Sequence, residues 1–174
     1  MGRTEDHRTR WTTRPEGPGD GPAVRRVVLA AFGSPGEADL VDALRVDSAW
    51  LDGLSVVAEA PDGEIVGHAL LTRCHVGGVP ALCLAPCSVL PAHQRSGAGS
   101  AAIRAALAAA RERGERFVIV LGHPGYYPRF GFGRASAHGI RLAAEVPEEA
   151  LMALALTDDP LPAGTVRYAA PFGI

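Results

Sequence analysis

Between Ala81 and Gly122 the hydrophobic rhythm of the chain changes twice, and the order of those changes leaves few folds open. Ala81 to Leu90 is an apolar run suited to a strand, and a glycine-bearing loop follows it. Gly99 to Arg113 then places Ile103, Ala106, Leu107 and Ala110 on one helical face and Arg104 and Arg111 on another, with Gly114 as a C-terminal stop. Arg116 to Gly122, RFVIVLG, is dense in β-branched residues and predicts a buried strand. Strand, loop, helix and strand in this order predict a βαβ unit with a right-handed crossover.

The flanking segments predict what surrounds that unit. Val24, Val27, Val28 and Ala31 have helical spacing within Ala23 to Phe32, and a second amphipathic stretch runs from Glu37 to Arg45. Leu54 to Ala60, the turn PDG and Glu64 to Arg73 read as a β-hairpin, with Gly77-Gly78 turning the chain into the next strand. After an aromatic Pro/Gly segment, Gly122 to Phe132, two short strands are expected near Leu151 to Leu156 and Thr165 to Ala169. The sum is an α/β fold, a mixed and largely antiparallel central sheet with helices on both faces. Residues 1–12 lack apolar periodicity and read as a flexible N-terminal arm, and 13–174 read as a single domain, which a chain of 174 residues can support around one core.

Composition removes several kinds of chemistry. All 17 basic residues are arginine, so lysine Schiff bases and the P-loop lysine are excluded, and without asparagine no N-glycosylation sequon exists. A net charge of -2 supplies no footprint for nucleic acid or an anionic membrane. The N-terminus has no apolar core of a signal peptide and no stretch is apolar enough to span a bilayer. Three cysteines, Cys74, Cys83 and Cys87, sit in apolar surroundings and read as reduced thiols of a cytoplasmic protein.

The loop before the long helix carries the chemistry. Gly97 and Gly99 remove side chains where backbone amides approach an anion, Ser100 offers a hydroxyl, and the helix dipole adds partial positive charge, so the segment suits a phosphate. A plain glycine turn that starts a helix accounts for the same residues. GAGSAA, Gly97 to Ala102, matches a loose dinucleotide fingerprint, but it follows hairpins rather than the first strand, and Gly122-His123 stands where that fold needs an acid. A Walker A loop fails for lack of Gly-Lys.

Gln94-Arg95-Ser96-Gly97-Ala98-Gly99 resembles motif A of the GCN5-related N-acetyltransferases, Q/R-x-x-G-x-G/A at the start of the main helix. The strand ending SVLP before it, the helix and buried strand after it, and the Tyr-x-x-x-Gly-Phe segment from Tyr127 to Phe132 follow the same order. VIVLGHPGYYPRFGF is similar to the LGDPxYYxRFGF segment of the YhbS-like subgroup. The resemblance implies an acetyl-CoA-dependent N-acetyltransferase acting on an amine of a small molecule or protein. It implies that Gln94, Arg95, Ser96, Gly97, Ala98, Gly99 and Ser100 hold the pyrophosphate, and that the main chain of Cys87, Ser88 and Val89 pairs with pantetheine. Tyr127 corresponds to the phenolic acid that protonates the departing thiolate, with Tyr126 as its neighbouring competitor, and an amide near Val89 or Leu90 stabilises the oxyanion. No metal is implied, and a homodimer is compatible with the resemblance. Two positions depart from the pattern: Arg95 stands where glycine is common, and His123 stands where the subgroup has an acid.

Other readings of the same residues stay in view. Tyr127 also suits packing beside Phe130 and Phe132. Cys83 and Cys87, four apart on a strand, fall on one face, where they suit core packing better than a metal clip with His93 or a nucleophile. For a base, Leu82 to Leu90 offers no carboxylate, which leaves His75, His93, His123 and Glu37, while His68 reads as a core or surface histidine. A non-catalytic acyl-CoA-binding or sensor module is the alternative to an enzyme.

Overall fold

In the computed structural model, which describes residues 11–174, the predicted βαβ unit sits at the middle of a nine-stranded sheet. Strands β1 (Thr12–Pro15), β2 (Trp50–Glu59), β3 (Ile65–Val76) and β4 (Val79–Val89) pair antiparallel in that order. Helix α3 (Ala98–Glu112) then returns the chain so that β5 (Phe117–Leu121) lies parallel to β4. Beyond β5 the sheet continues antiparallel with β8 (Leu151–Ala155), which carries the two-residue β6 (Gly133–Arg134) at the edge. β9 (Gly164–Arg167) pairs with the last residues of β3, past the end of β2, and with the two-residue β7 (Ile140–Arg141).

The helices cover both faces, as the apolar spacing predicts. α1 (Gly21–Phe32) starts with Pro22 in its first turn, ends at Gly33 in the left-handed region (φ 72°), and buries Val24, Val27 and Val28. α2 (Gly36–Arg45) buries Ala38, Val41 and Leu44, and both helices pack on Val57, Ile65 and Leu70. α3 covers the other face, its alanine-rich side against Val56, Ala58, Ala69 and Leu71. It ends as Gly114 predicts: Glu115 N–H donates to Ala110 C=O and Gly114 N–H to Arg111 C=O, both at 3.0 Å, a Schellman closure with glycine at φ 85°.

One irregularity shapes everything near the centre. Leu84 lies opposite Leu71 and Cys87 opposite Ala69, so β4 holds an extra residue, a bulge at Ala85-Pro86 where proline has no N–H for the ladder. Pairing with β5 stops just before it, at Leu82↔Val118 and Cys83↔Ile119, while β4 runs on to Val89. The bulge also reverses side-chain alternation. Cys83 shares the face of its partner Thr72, and Cys87 shares the opposite face with Ala69, which corrects the expectation that the two thiols lie on one face.

Trp11 and Thr12, read from sequence as the end of a flexible arm, are tied to the domain: Thr12 pairs with Glu59 and Trp11 packs against the loop before α3. The rest of that stretch lies outside the described residues. Among those described, no helix is long and apolar enough to cross a membrane.

Candidate active site

The loop from Leu90 to Ser100 is held at both ends by main-chain bonds. Leu90 N–H donates to Val66 C=O at 2.8 Å, a 3₁₀ turn covers Pro91–His93, and Ser96 Oγ donates to His93 C=O. Gln94 Nε2 reaches back to Val89 C=O at 3.3 Å. Gly97 caps α3 at φ 94° with no side-chain hydrogen bond, and the first helical bond is Ala101 N–H to Gly97 C=O, 2.9 Å. The amides of Ala98, Gly99 and Ser100 therefore precede the intrahelical ladder and, with the dipole behind them, form an anion-binding end.

Close packing explains the small residues there. A Cβ on Gly99 would come within 3.0 Å of Val89 Cγ2, so glycine lets the helix start lie against the end of β4. On β3, a Cβ at Gly67 would crowd Ala58 Cβ at 3.3 Å while only touching Ala98 O at 3.6 Å. Arg95 adopts φ 61°, a conformation that glycine takes without steric cost, which gives a physical reason for the glycine expected at this position. Trp11, which the sequence reading passed over, donates from Nε1 to Ser96 C=O at 3.1 Å and meets the His93 ring edge-on at 5.7 Å.

The two tyrosines approach this loop from the segment after β5. Tyr126 OH lies 3.0 Å from Ser100 Oγ in the first turn of α3. Tyr127 starts a 3₁₀ turn, Tyr127–Phe130, and its ring lies so close over Gly122 that a Cβ there would sit 2.4 Å from Tyr127 Cε2. Phe132 meets that ring edge-on at 6.0 Å, so the packing expected of Tyr127 is present. Its hydroxyl faces the Cys87 sulfur. Burial, reinforced by that neighbour, raises the Tyr127 pKa well above its ordinary value, so the phenol keeps its proton at neutral pH. Burial likewise pushes the Cys87 thiol up to about 12, against a small lowering by Tyr127. The thiol is therefore not a ready nucleophile.

The opposite face at the same level of β4 is also polar. Ser88 lies directly across from His68, whose Nε2 is 2.8 Å from Ser55 Oγ, and all three side chains are buried. Burial, with a smaller contribution from the Arg45 charge, lowers the His68 pKa to about 3, which keeps the imidazole neutral. The pairing of residues 68 and 88 across the Gly77-Gly78 turn was readable only once the bulge was known.

The remaining candidates are dispersed. His75 is at the far end of β3, opposite Pro80 and Arg167, well away from the loop. His93 packs on Trp11, His123 is exposed in the turn after β5, and Glu37 opens α2 on the other face of the sheet from α3. Among the described residues, no three or more of His, Cys, Asp and Glu cluster as metal ligands would.

The model of the acetyltransferase (GNAT) family matches residues 23–132, from α1 through Phe132. The chain belongs to the GNAT family. It is 38% identical to the uncharacterized N-acetyltransferase YjhQ of Escherichia coli (strain K12), over 87% of this chain and 88% of that one. It is 31% identical to the uncharacterized N-acetyltransferase YhbS of the same strain, over 89% and 94%. The crystal structure of E. coli YhbS in complex with CoA superposes with a TM-score of 0.88 at 30% identity, over 95% of this chain and 93% of that chain. A GNAT family acetyltransferase from Brucella melitensis in complex with acetyl-CoA gives 0.77 at 36% identity, over 93% and 97%. The expected fold and the expected class, an N-acetyltransferase of the GNAT family, are both met. The family match ends at Phe132, so β8 and β9 lie beyond it.

Proposed function

We propose that this GNAT protein moves an acetyl group from acetyl-CoA directly to the amine of a small molecule or protein, with the loop Gln94–Ser100 holding the pyrophosphate and Tyr127 supplying a proton. The observation that carries this reading is the convergence at one level of β4: uncapped amides of α3 beside Val89, and the Tyr127 hydroxyl against Cys87 where β4 no longer pairs with β5. The main chain of Cys87, Ser88 and Val89, paired with β3 on one side but not with β5 on the other, suits the extended amides of pantetheine as an added strand. Such a ligand brings a thioester, whose acyl carbon an uncharged amine attacks without a metal. The loop fixes the ligand, the amide of Val89 faces the developing oxyanion, that of Leu90 being already bonded to Val66 C=O, and Tyr127 donates its proton to the leaving sulfur. His68, with its pKa lowered to about 3, is too weak a base to take a proton from an alkylammonium ion.

Calorimetric titration with acetyl-CoA, desulfo-CoA and NADH tests the loop. Saturable binding of both CoA compounds without NADH supports the reading, and thiol release with a panel of amines then separates an enzyme from a CoA-binding module. Failure of either CoA compound to bind overturns the assignment of Gln94 to Ser100.

Gly122 gives an independent test of Tyr127. A Gly122→Ala variant keeps the phenol in the chain but forces its ring aside, since the new Cβ would fall at 2.4 Å. A displacement of about 1 Å in a reacting group can cost on the order of a hundredfold in rate. We expect kcat to fall by about ten- to a hundredfold with little change in acetyl-CoA affinity, measured by steady-state kinetics and calorimetry. Unchanged kcat would mean that the position of the phenol does not matter.

A further inference from the structure

Past Phe132, where the family match ends, β7 and β9 return to the turn between β3 and β4 and form with it a hollow of about 470 Å³. It is lined by the side chains of His75, Arg141, Thr165 and Arg167 and by glycines, Gly77 and Gly164 among them. The strand register explains why these four side chains gather. Val76 and Val166 are opposite each other and buried, and Ile140, opposite Gly164, is buried with them. Alternation then turns His75, Arg167, Thr165 and Arg141 to the other face, with Arg167 directly across from His75 and Arg141 directly across from Thr165. Glycine lets the segments meet: Gly77 N–H donates to Thr165 C=O at 3.2 Å, and a Cβ on Gly164 would fall 2.6 Å from Gly77 Cα.

No carboxylate lines the hollow. Two residues before His75 on the same face of β3, Arg73 is matched with an acid, its Nη1 donating to Glu115 Oε2 at 2.9 Å. Among the described residues, Arg141 and Arg167 have no such partner. The adjoining hollow shares His75 and Arg167 and contains Asp47, whose Oδ1 accepts from Ala49 N–H at 2.9 Å. Two guanidinium groups, a hydroxyl and an imidazole thus face one open space without a counter-charge, and an anion between the arginines relieves their repulsion. The place is distinct from the loop before α3. β4 starts at Val79 beside this turn and ends at Val89 beside that loop, a separation of roughly 30 Å at about 3.3 Å per residue.

We propose that this hollow is a second anion site, which takes a compact phosphate group, free or as a phosphomonoester, on Arg141, Arg167, Thr165 and His75. A phosphomonoester carries about -1.5 to -2 charge at neutral pH and three strong acceptor oxygens, so it matches two guanidinium forks and still has an oxygen for the hydroxyl or the imidazole. A single carboxylate carries one charge and two oxygens, which leaves one arginine uncompensated. The site goes beyond the transfer reaction and does not depend on what the loop before α3 holds.

The test is an ¹⁵N NMR titration at low salt with inorganic phosphate, glycerol 3-phosphate and succinate, following the amides of Gly77, Gly78 and Gly164 separately from those of Ala98 to Ser100, so that binding at the two places is read independently. Saturable shifts of the three glycine amides are expected with both phosphate compounds, with an affinity about tenfold above that for succinate and a difference that shrinks as salt screens the contact. Equal affinities for phosphate and its ester assign the site to the phosphate group alone, and tighter binding of the ester adds a contact to its organic part; both support the site. An Arg141→Gln/Arg167→Gln variant, altered only at exposed side chains, should bind at least about tenfold more weakly there, and an Arg134→Gln control on β6 should bind as the wild type does. Glycine amides that do not shift in the wild type, succinate bound as tightly as the phosphates, or undiminished binding in the double variant would each overturn the proposal and leave the reading of the loop untouched.

Discussion

A Tyr127→Phe variant is expected to lose about a hundredfold in kcat while its affinity for acetyl-CoA changes by less than about twofold. The phenylalanine ring keeps the packing over Gly122 and beside Phe132, so the fold and the loop before α3 are left in place. What disappears is a proton donor facing Cys87 on the half of β4 that does not pair with β5. General acids contribute about 10²- to 10⁴-fold, and a thiolate, being a good leaving group, calls for the lower end. Steady-state kinetics with thiol detection, set beside calorimetry, give the two numbers separately. Equal losses in affinity and rate would point to a binding role, and an unchanged kcat would move attention to Tyr126. The raised pKa of Tyr127 adds a condition: the phenol stays protonated through the neutral and mildly alkaline range, so loss of its proton does not set a basic limb there.

The second large effect is on stability in acid. His68 is buried and its pKa is lowered from 6.5 to about 3, so between those values the unfolded chain binds a proton that the folded one does not. Stability then falls as pH drops through this window, by at most about 1.4 kcal/mol per pH unit and about 4 kcal/mol across the window. Asp20, whose pKa is lowered chiefly by Arg14, loses its contribution in the same direction but only at lower pH, below the ordinary carboxylate range. Urea unfolding at pH 7, 6, 5 and 4.5 measures the slope. A His68→Gln variant is expected to be less stable at neutral pH yet flatter in its pH dependence, and a slope equal to that of the wild type would remove His68 as its source.

How far the sequence could be read depended on whether a residue's environment was local. α1, α2 and α3 were legible because their apolar positions repeat within each helix, and Gly114 marks the end of α3. The strands of the βαβ unit were legible for the same reason. β6 and β7, two residues each, have no pattern of their own and exist because β8 and β9 supply partners. Trp11 looked like part of an arm since nothing near it in sequence shows that its indole reaches Ser96. The loop motif itself was readable, but the bond between Ser100 and Tyr126 joins residues 26 positions apart and needed the fold. The pairing of Cys83 with Cys87 failed for a different reason: strict alternation assumes an unbroken strand, and a single extra residue defeats it.

That extra residue divides β4 into two stretches that answer to different demands. Upstream of Ala85-Pro86, side chains such as Cys83 fit the core shared with Phe117 and Ile119, and substitutions there are judged by volume. Downstream, one face presents a thiol to Tyr127 and the other a hydroxyl to His68. Which of the two groups meets the phenol is thus decided by residue count at the bulge rather than by residue identity before it. The core half of the strand is consequently free to change composition without altering what its other half displays.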